Sequence, residues 1–99
     1  MIDFGQIEGF DWDAGNARKS EDKHGVSQPE AEQVFWNTPL IVAIDLQYSS
    51  NEPRFNALGK THDGRRLHIT FTFRAGGQMV RVISARDMNR KERKIYEHA

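Results

Sequence analysis

A chain of 99 residues, 37% hydrophobic and of mean hydropathy -0.72, accommodates one domain, 1–99, around a small core. The absence of cysteine excludes disulfides, thiolate metal sites and a cysteine nucleophile. The formal net charge is +0, but residues 1–53 carry three basic side chains against ten acidic, and residues 54–99 eleven basic against four acidic. Such asymmetry indicates either a polyanion-facing surface on the second part or two halves that neutralise one another across the fold. The stretch Met1-Ile2-Asp3-Phe4-Gly5 has neither the basic region nor the apolar run of a signal peptide. No segment is long and apolar enough to cross a membrane, so a cytoplasmic location without a membrane partner is expected.

In chain order, Ile7 to Trp12 reads as a short strand or extended entry carrying Phe10 and Trp12. Asp13 is placed to cap a polar helix that Gly25 ends in the left-handed conformation glycine adopts cheaply. Ser27-Gln28-Pro29-Glu30 combines a capping box with a first-turn proline, and Ala31, Val34 and Phe35 form one apolar stripe of a second helix. Asn37 and Pro39 stop it. The period then changes to two. Leu40 to Leu46 and Arg54 to Thr61 are strand candidates, and Asp63-Gly64 signals a hairpin turn. Leu67, Ile69, Phe71 and Phe73 alternate with His68, Thr70, Thr72 and Arg74, which marks a half-buried strand. After a Gly76-Gly77 turn, Met79 to Ala85 returns as another strand. Asn89 with Glu92 forms a second capping box, opening a basic helix that ends near His98. The expected fold class is α+β: two N-terminal helices, an antiparallel sheet of about four strands, and a C-terminal helix.

An antiparallel sheet can leave one face wet. The polar set His68, Thr70, Thr72 and Arg74 occupies one face of its strand, and the next strand adds Arg81, Ser84 and Arg86. Arg81 and Arg86 differ in parity, so they share a face only if that strand bulges or ends before Arg86. The alternatives are a phosphodiester-binding platform and an ordinary solvated sheet face. His24, His62, His68 and His98 show no metal-ligand spacing, and there is no phosphate-binding glycine loop or nucleophile elbow, so no cofactor and no metal is expected. Metal-free phosphodiester cleavage requires a general base, a general acid and donors to the phosphoryl oxygens. On RNA the 2′-hydroxyl is the nucleophile, which directs this chemistry to RNA rather than DNA.

Three segments carry a more specific signal: Phe10-Asp11-Trp12-Asp13; Lys23-His24-Gly25-Val26-Ser27 with Glu30-Ala31 and Val34-Phe35; and Arg81-Val82-Ile83-Ser84-Ala85-Arg86 with Arg90, Glu92-Arg93 and Tyr96. With Glu52, Arg54 and Gly59 between them, the chain resembles the BrnT family of type II toxins from about Gly9 to Tyr96. The resemblance implies a RelE-like fold and a ribonuclease activity that arrests translation. It further implies a cognate BrnA-like antitoxin of ribbon-helix-helix type, through which alone the toxin meets operator DNA. The chain departs from the family pattern at Asn16, where lysine is usual, and at Ser20, where asparagine is usual.

The candidate catalytic residues are Lys23, His24, Arg54, Arg81 and Arg86; His68, Thr72, Arg74 and Ser84 are candidates for substrate binding. His24, with an ordinary pKa of about 6.5, is either an acid–base group or a partner of the helix C-terminus, and Lys23 either a phosphate contact or a cap. The planar guanidinium fork selects Arg54, Arg81 and Arg86 for phosphate, unless one pairs with Glu52 or Asp87. Phe10 and Trp12 either stack on bases or anchor the first helix; Trp36 belongs to the core or to the antitoxin contact. The basic run from Arg90 to Lys94 is a solvated helix face, or a surface for RNA or an acidic stretch of antitoxin. Besides the toxin ribonuclease, two readings stand: a weak or inactive toxin-like module acting through its antitoxin complex, and a plain RNA-binding domain.

Overall fold

The computed structural model describes residues 4–47 and 52–99; Met1, Ile2 and Asp3 of the N-terminal stretch lie outside them. After a 3₁₀ turn at Phe4–Gln6 come β1 (Gly9–Phe10), α1 (Ala14–His24) and α2 (Gln28–Gln33), which tightens into a 3₁₀ turn at Val34–Trp36. Then follow β2 (Ile41–Ile44), β3 (Phe55–Lys60), β4 (Arg66–Arg74), a 3₁₀ turn at Ala75–Gly77, β5 (Met79–Asp87) and α3 (Arg90–Glu97).

The expected helix starts hold. Asp13 Oδ1 accepts the Gly15 N–H at 2.7 Å, and Gly25 closes α1 at φ 65. Both capping boxes form, Ser27 with Glu30 and Asn89 with Glu92. The second helix is shorter than its apolar stripe: Val34 and Phe35 belong to the 3₁₀ turn, and Ala31 is the only buried residue of α2 itself.

The sheet corrects the antiparallel four-strand expectation. Strands β2 to β5 form the antiparallel meander, but the described sheet has five strands in the order β1-β5-β4-β3-β2, and β1 runs parallel to β5 through Gly9↔Met79 and Phe10↔Val80. The short strand or extended entry expected at Ile7 to Trp12 is thus β1, but two residues are too few to display a period of two and so to place it in the sheet.

One face of the sheet carries the main core. Leu67, Ile69 and Phe71 of β4 and Val80, Val82 and Ala85 of β5 are buried beneath Ala31, Val34 and Phe35. Phe71 meets Phe35 edge-on at 5.0 Å and stacks on Phe55 at 5.6 Å, contacts that add to the gain from area burial. The 3₁₀ turn sits so close to β3 that a Cβ on Gly59 would lie 2.5 Å from Val34 Cγ1. On the opposite face, α3 covers one part only, through Leu58, Met88 and Tyr96 with Ile41 against them. The Tyr96 hydroxyl donates to the Pro39 carbonyl at 2.7 Å, fixing the helix to the start of β2. The rest of that face carries mainly polar side chains, with Ala43 and Met79 among them.

Candidate functional site

The register of β4 with β5 determines which side chains share this polar face. Thr70 lies opposite Ser84 and Phe71 opposite Val82, so β5 has one extra residue, Ile83, at that point. This is a β-bulge, and it resolves the parity conflict between the two arginines. Arg86 stands opposite His68, Ser84 opposite Thr70, and Arg81 opposite Thr72. Residues directly opposite across a ladder project to the same side, so Arg81, Ser84 and Arg86 form a row beside His68, Thr70 and Thr72. From β3, Asn56 joins the row, its amide oxygen accepting from the Thr70 hydroxyl at 2.9 Å.

Arg86, Glu92 and His68 form one cluster. Glu92 accepts from both terminal nitrogens of Arg86, Nη1 at 2.8 Å and Nη2 at 2.9 Å, and from the Asn89 backbone N–H at 2.9 Å. The Glu92 hydrogen bonds push the Arg86 pKa up, against the effect of burial. Burial acts to raise the Glu92 pKa, but Arg86 and the Asn89 N–H outweigh it and hold the carboxyl below its ordinary value. His68 Nε2 is 3.8 Å from the same carboxylate, while Nδ1 is buried without a hydrogen-bond partner among the described residues. Burial, and then the Arg86 charge, lower the His68 pKa. Sequence reasoning saw Glu92 as a cap and as part of the family resemblance; its second task depends on the turn that brings the start of α3 back beside the end of β5.

At the other end of the row, Arg81 donates to Asp13 Oδ2 at 3.1 Å and Asp11 Oδ2 at 3.5 Å. Arg74 Nη1 donates to both oxygens of Glu52 at 2.6 Å. Arg54 also acts electrostatically on Glu52. Thr72 is buried, and its hydroxyl donates to the Pro53 carbonyl at 2.7 Å, so it fixes the segment that carries Arg54. Of the two carboxylates expected to partner one of Arg54, Arg81 and Arg86, Glu52 pairs with Arg74 and also feels Arg81 and Arg54, and Asp87 pairs with Arg65. Several of these ion pairs join the acidic and basic parts of the chain, as the neutralisation reading anticipated.

Lys23 and His24 stand apart from this row, at the C-terminal end of α1. That end is held by Arg65, which sequence reasoning did not single out. Its five N–H groups reach the His24 and Gly25 carbonyls, Glu30 and both oxygens of Asp87. His24 lies close enough to Asp87 to help hold that carboxyl below its ordinary value. The aromatic pair anchors the entry to α1: Phe10 packs on Phe35 and Trp36 with ring centroids 5.6 and 6.0 Å apart, and Trp12 Nε1 donates to Glu32 at 2.7 Å. Trp36 itself is 52% exposed and so belongs only in part to the core. Asn16 and Ser20 lie in α1, but their side chains are outside the described residues. No described helix is long and apolar enough to cross a membrane.

Comparison with known proteins identifies the family. A model of the family described as "Ribonuclease toxin, BrnT, of type II toxin-antitoxin system" matches residues 12–92. Among solved structures, the chain is similar to the Brucella abortus ribonuclease toxin BrnT, with a TM-score of 0.58 and 18% sequence identity over 83% of this chain and 97% of that one. No curated protein matches the chain in sequence. The chain belongs to the BrnT family of ribonuclease toxins of type II toxin–antitoxin systems.

Proposed function

We propose that this BrnT-family chain is an endoribonuclease that cleaves RNA without a metal ion, on the face where Arg81, Ser84 and Arg86 lie beside His68, Thr70 and Thr72. The observation that carries the reading is the bulge at Ile83, which puts Arg81 and Arg86 on one side of the sheet. In the proposed reaction the 2′-oxygen attacks the adjacent phosphorus, the bond to the 5′-oxygen breaks, and a 2′,3′-cyclic phosphate and a 5′-hydroxyl result. One group accepts the 2′-hydroxyl proton and another returns a proton to the 5′-oxygen. Arg54, Arg81 and Arg86 stabilise charge on the phosphoryl oxygens. Lys23 and His24, apart from the row at the end of α1, would meet a part of the RNA beyond the scissile phosphate, and His68, Thr72, Arg74 and Ser84 line or brace the substrate surface.

The fold is proposed to be related to that of RelE-like toxins. Cleavage in the cytoplasm would inhibit translation and growth, and an antitoxin of ribbon-helix-helix type would neutralise the toxin and carry the complex to operator DNA. Half-exposed Trp36 is the proposed antitoxin contact. The test is regulated expression with and without the neighbouring open reading frame, following growth and total RNA integrity. Arrest with RNA breakdown, relieved by the neighbour, is expected; normal growth with intact RNA and soluble protein overturns the reading. That second outcome favours a toxin-like module acting through its antitoxin complex, a reading supported by the carboxylate partners already seated on Arg74, Arg81 and Arg86.

A further inference from the structure

We infer that Glu92 is a positioning residue: its carboxylate takes the end-on pair of Arg86 N–H groups and so presents the remaining side-on pair to an RNA phosphodiester. The inference rests on the ribonuclease reading and adds to it the group that orients Arg86.

A guanidinium has five N–H donors in a fixed plane and can offer two forks, one across its two terminal nitrogens and one across Nε and Nη2. In Arg86 the terminal fork is closed by Glu92, and the second hydrogen of Nη1 goes to the Asp87 carbonyl at 3.1 Å. Among the described residues, the Nε–H and the second Nη2–H have no acceptor. They are the two donors that suit two oxygens of one phosphate. Arg65 is the internal contrast. Its side-on fork is closed by Asp87, its other donors are also engaged, and nothing of it is left for a ligand.

The clamp is itself fixed. Glu92 is the third residue of α3, and the oxygen that receives Arg86 Nη1 also receives the Asn89 N–H, so a swing of the carboxylate would uncap the helix. Its side chain is 17% exposed, and its other oxygen, which receives Arg86 Nη2, lies 3.8 Å from His68 Nε2. One carboxylate thus couples the start of α3 to the guanidinium plane.

Glu92→Gln separates the two tasks, because glutamine also serves in a capping box while it lacks the charge and the second acceptor oxygen of the clamp. The expected result with an RNA oligonucleotide is a kcat about tenfold lower or more, with KM changed less than about threefold, as for loss of orientation rather than of binding. In an Arg86→Lys background, where no fork exists, Glu92→Gln should cause no further loss. Unchanged kcat in Glu92→Gln, or a loss that adds in full to that of Arg86→Lys, overturns the inference while cleavage by the wild type leaves the ribonuclease reading intact. A wild type that cleaves no RNA overturns both. Should the variant not fold, nuclear magnetic resonance of the wild type decides: separate proton signals from Arg86 Nη1 and Nη2, which Glu92 holds from rotating, support the clamp, and rotationally averaged ones overturn it.

Discussion

Asp87 closes a side-on fork on Arg65, with Nε 2.8 Å from Oδ1 and Nη2 3.0 Å from Oδ2. The remaining donors of Arg65 hold Glu30 and the last two carbonyls at the end of α1, so one side chain ties α1, α2 and the sheet together. Arg65→Ala should therefore lower stability by about 2 kcal/mol, as loss of a partly buried network does. Arg65→Lys should recover little of it, since a point charge cannot reach acceptors spread around a plane. Urea denaturation of the two variants checks this; full recovery by lysine would contradict it.

Gly59→Ala tests the closeness of β3 to the 3₁₀ turn. The added methyl would meet Val34 Cγ1 at 2.5 Å and Leu40 Cδ1 at 3.3 Å, inside a packed core. Overpacking of this kind costs about 1–3 kcal/mol. A midpoint in urea equal to that of the wild type would show that the core gives way more easily than its packing indicates.

Arg81→Ala and Arg86→Ala should each reduce RNA cleavage by about 100-fold or more, the scale of losing a donor to developing phosphoryl charge. Arg66→Ala is the control: Arg66 pairs with Glu97 at the far end of α3, and its loss should leave cleavage near that of the wild type. Equal loss from all three would point to a general effect on folding, which circular dichroism of each variant separates from chemistry.

Acid should destabilise the protein in two ranges. Burial and the neighbouring Arg86 charge hold the His68 pKa below its ordinary value of about 6.5, so the unfolded chain takes up that proton first. Stability then falls as the pH drops below about 6.5 and levels off below the folded-state pKa. Asp87, held low by Arg65, and Glu30, held low by the Ser27 N–H, contribute stability above their ordinary values that is lost as pH falls through their folded values. Stability measured between about pH 7 and 5 should slope less in His68→Gln than in the wild type; parallel slopes would sink the assignment.

Local chemistry makes most of the fold legible in the sequence. Asp13, Gly25, Ser27 with Glu30, and Asn89 with Glu92 mark helix ends by hydrogen bonds within three residues or by a single backbone angle. The alternation around Leu67, Ile69 and Phe71 likewise marks β4, because a period of two leaves its trace in each residue. What stayed hidden is long-range. The parallel seat of Gly9–Phe10 depends on residues at the other end of the chain, and the bulge at Ile83 has no signature beyond the parity conflict it resolves. For the site, residue chemistry indicated the arginines but not their partners. That Glu92 would meet Arg86 while Asp87 met Arg65 is decided by where α3 and α1 cross the sheet.

The pairing of β1 with β5 has a consequence for the order in which a nascent chain matures. Asp11 and Arg81 are 70 residues apart, and Phe10 finds its neighbour Val80 only after three other strands have been laid down. A chain emerging from the ribosome can close α1 and α2 early, since those contacts are local, but the edge that seats Arg81 waits for β5 to be made. The face that holds the proposed phosphate contacts is thus completed late in synthesis. A ribosome-held chain stalled before residue 81 would carry α1, α2 and its first strands without α3 or the row of Arg81, Ser84 and Arg86.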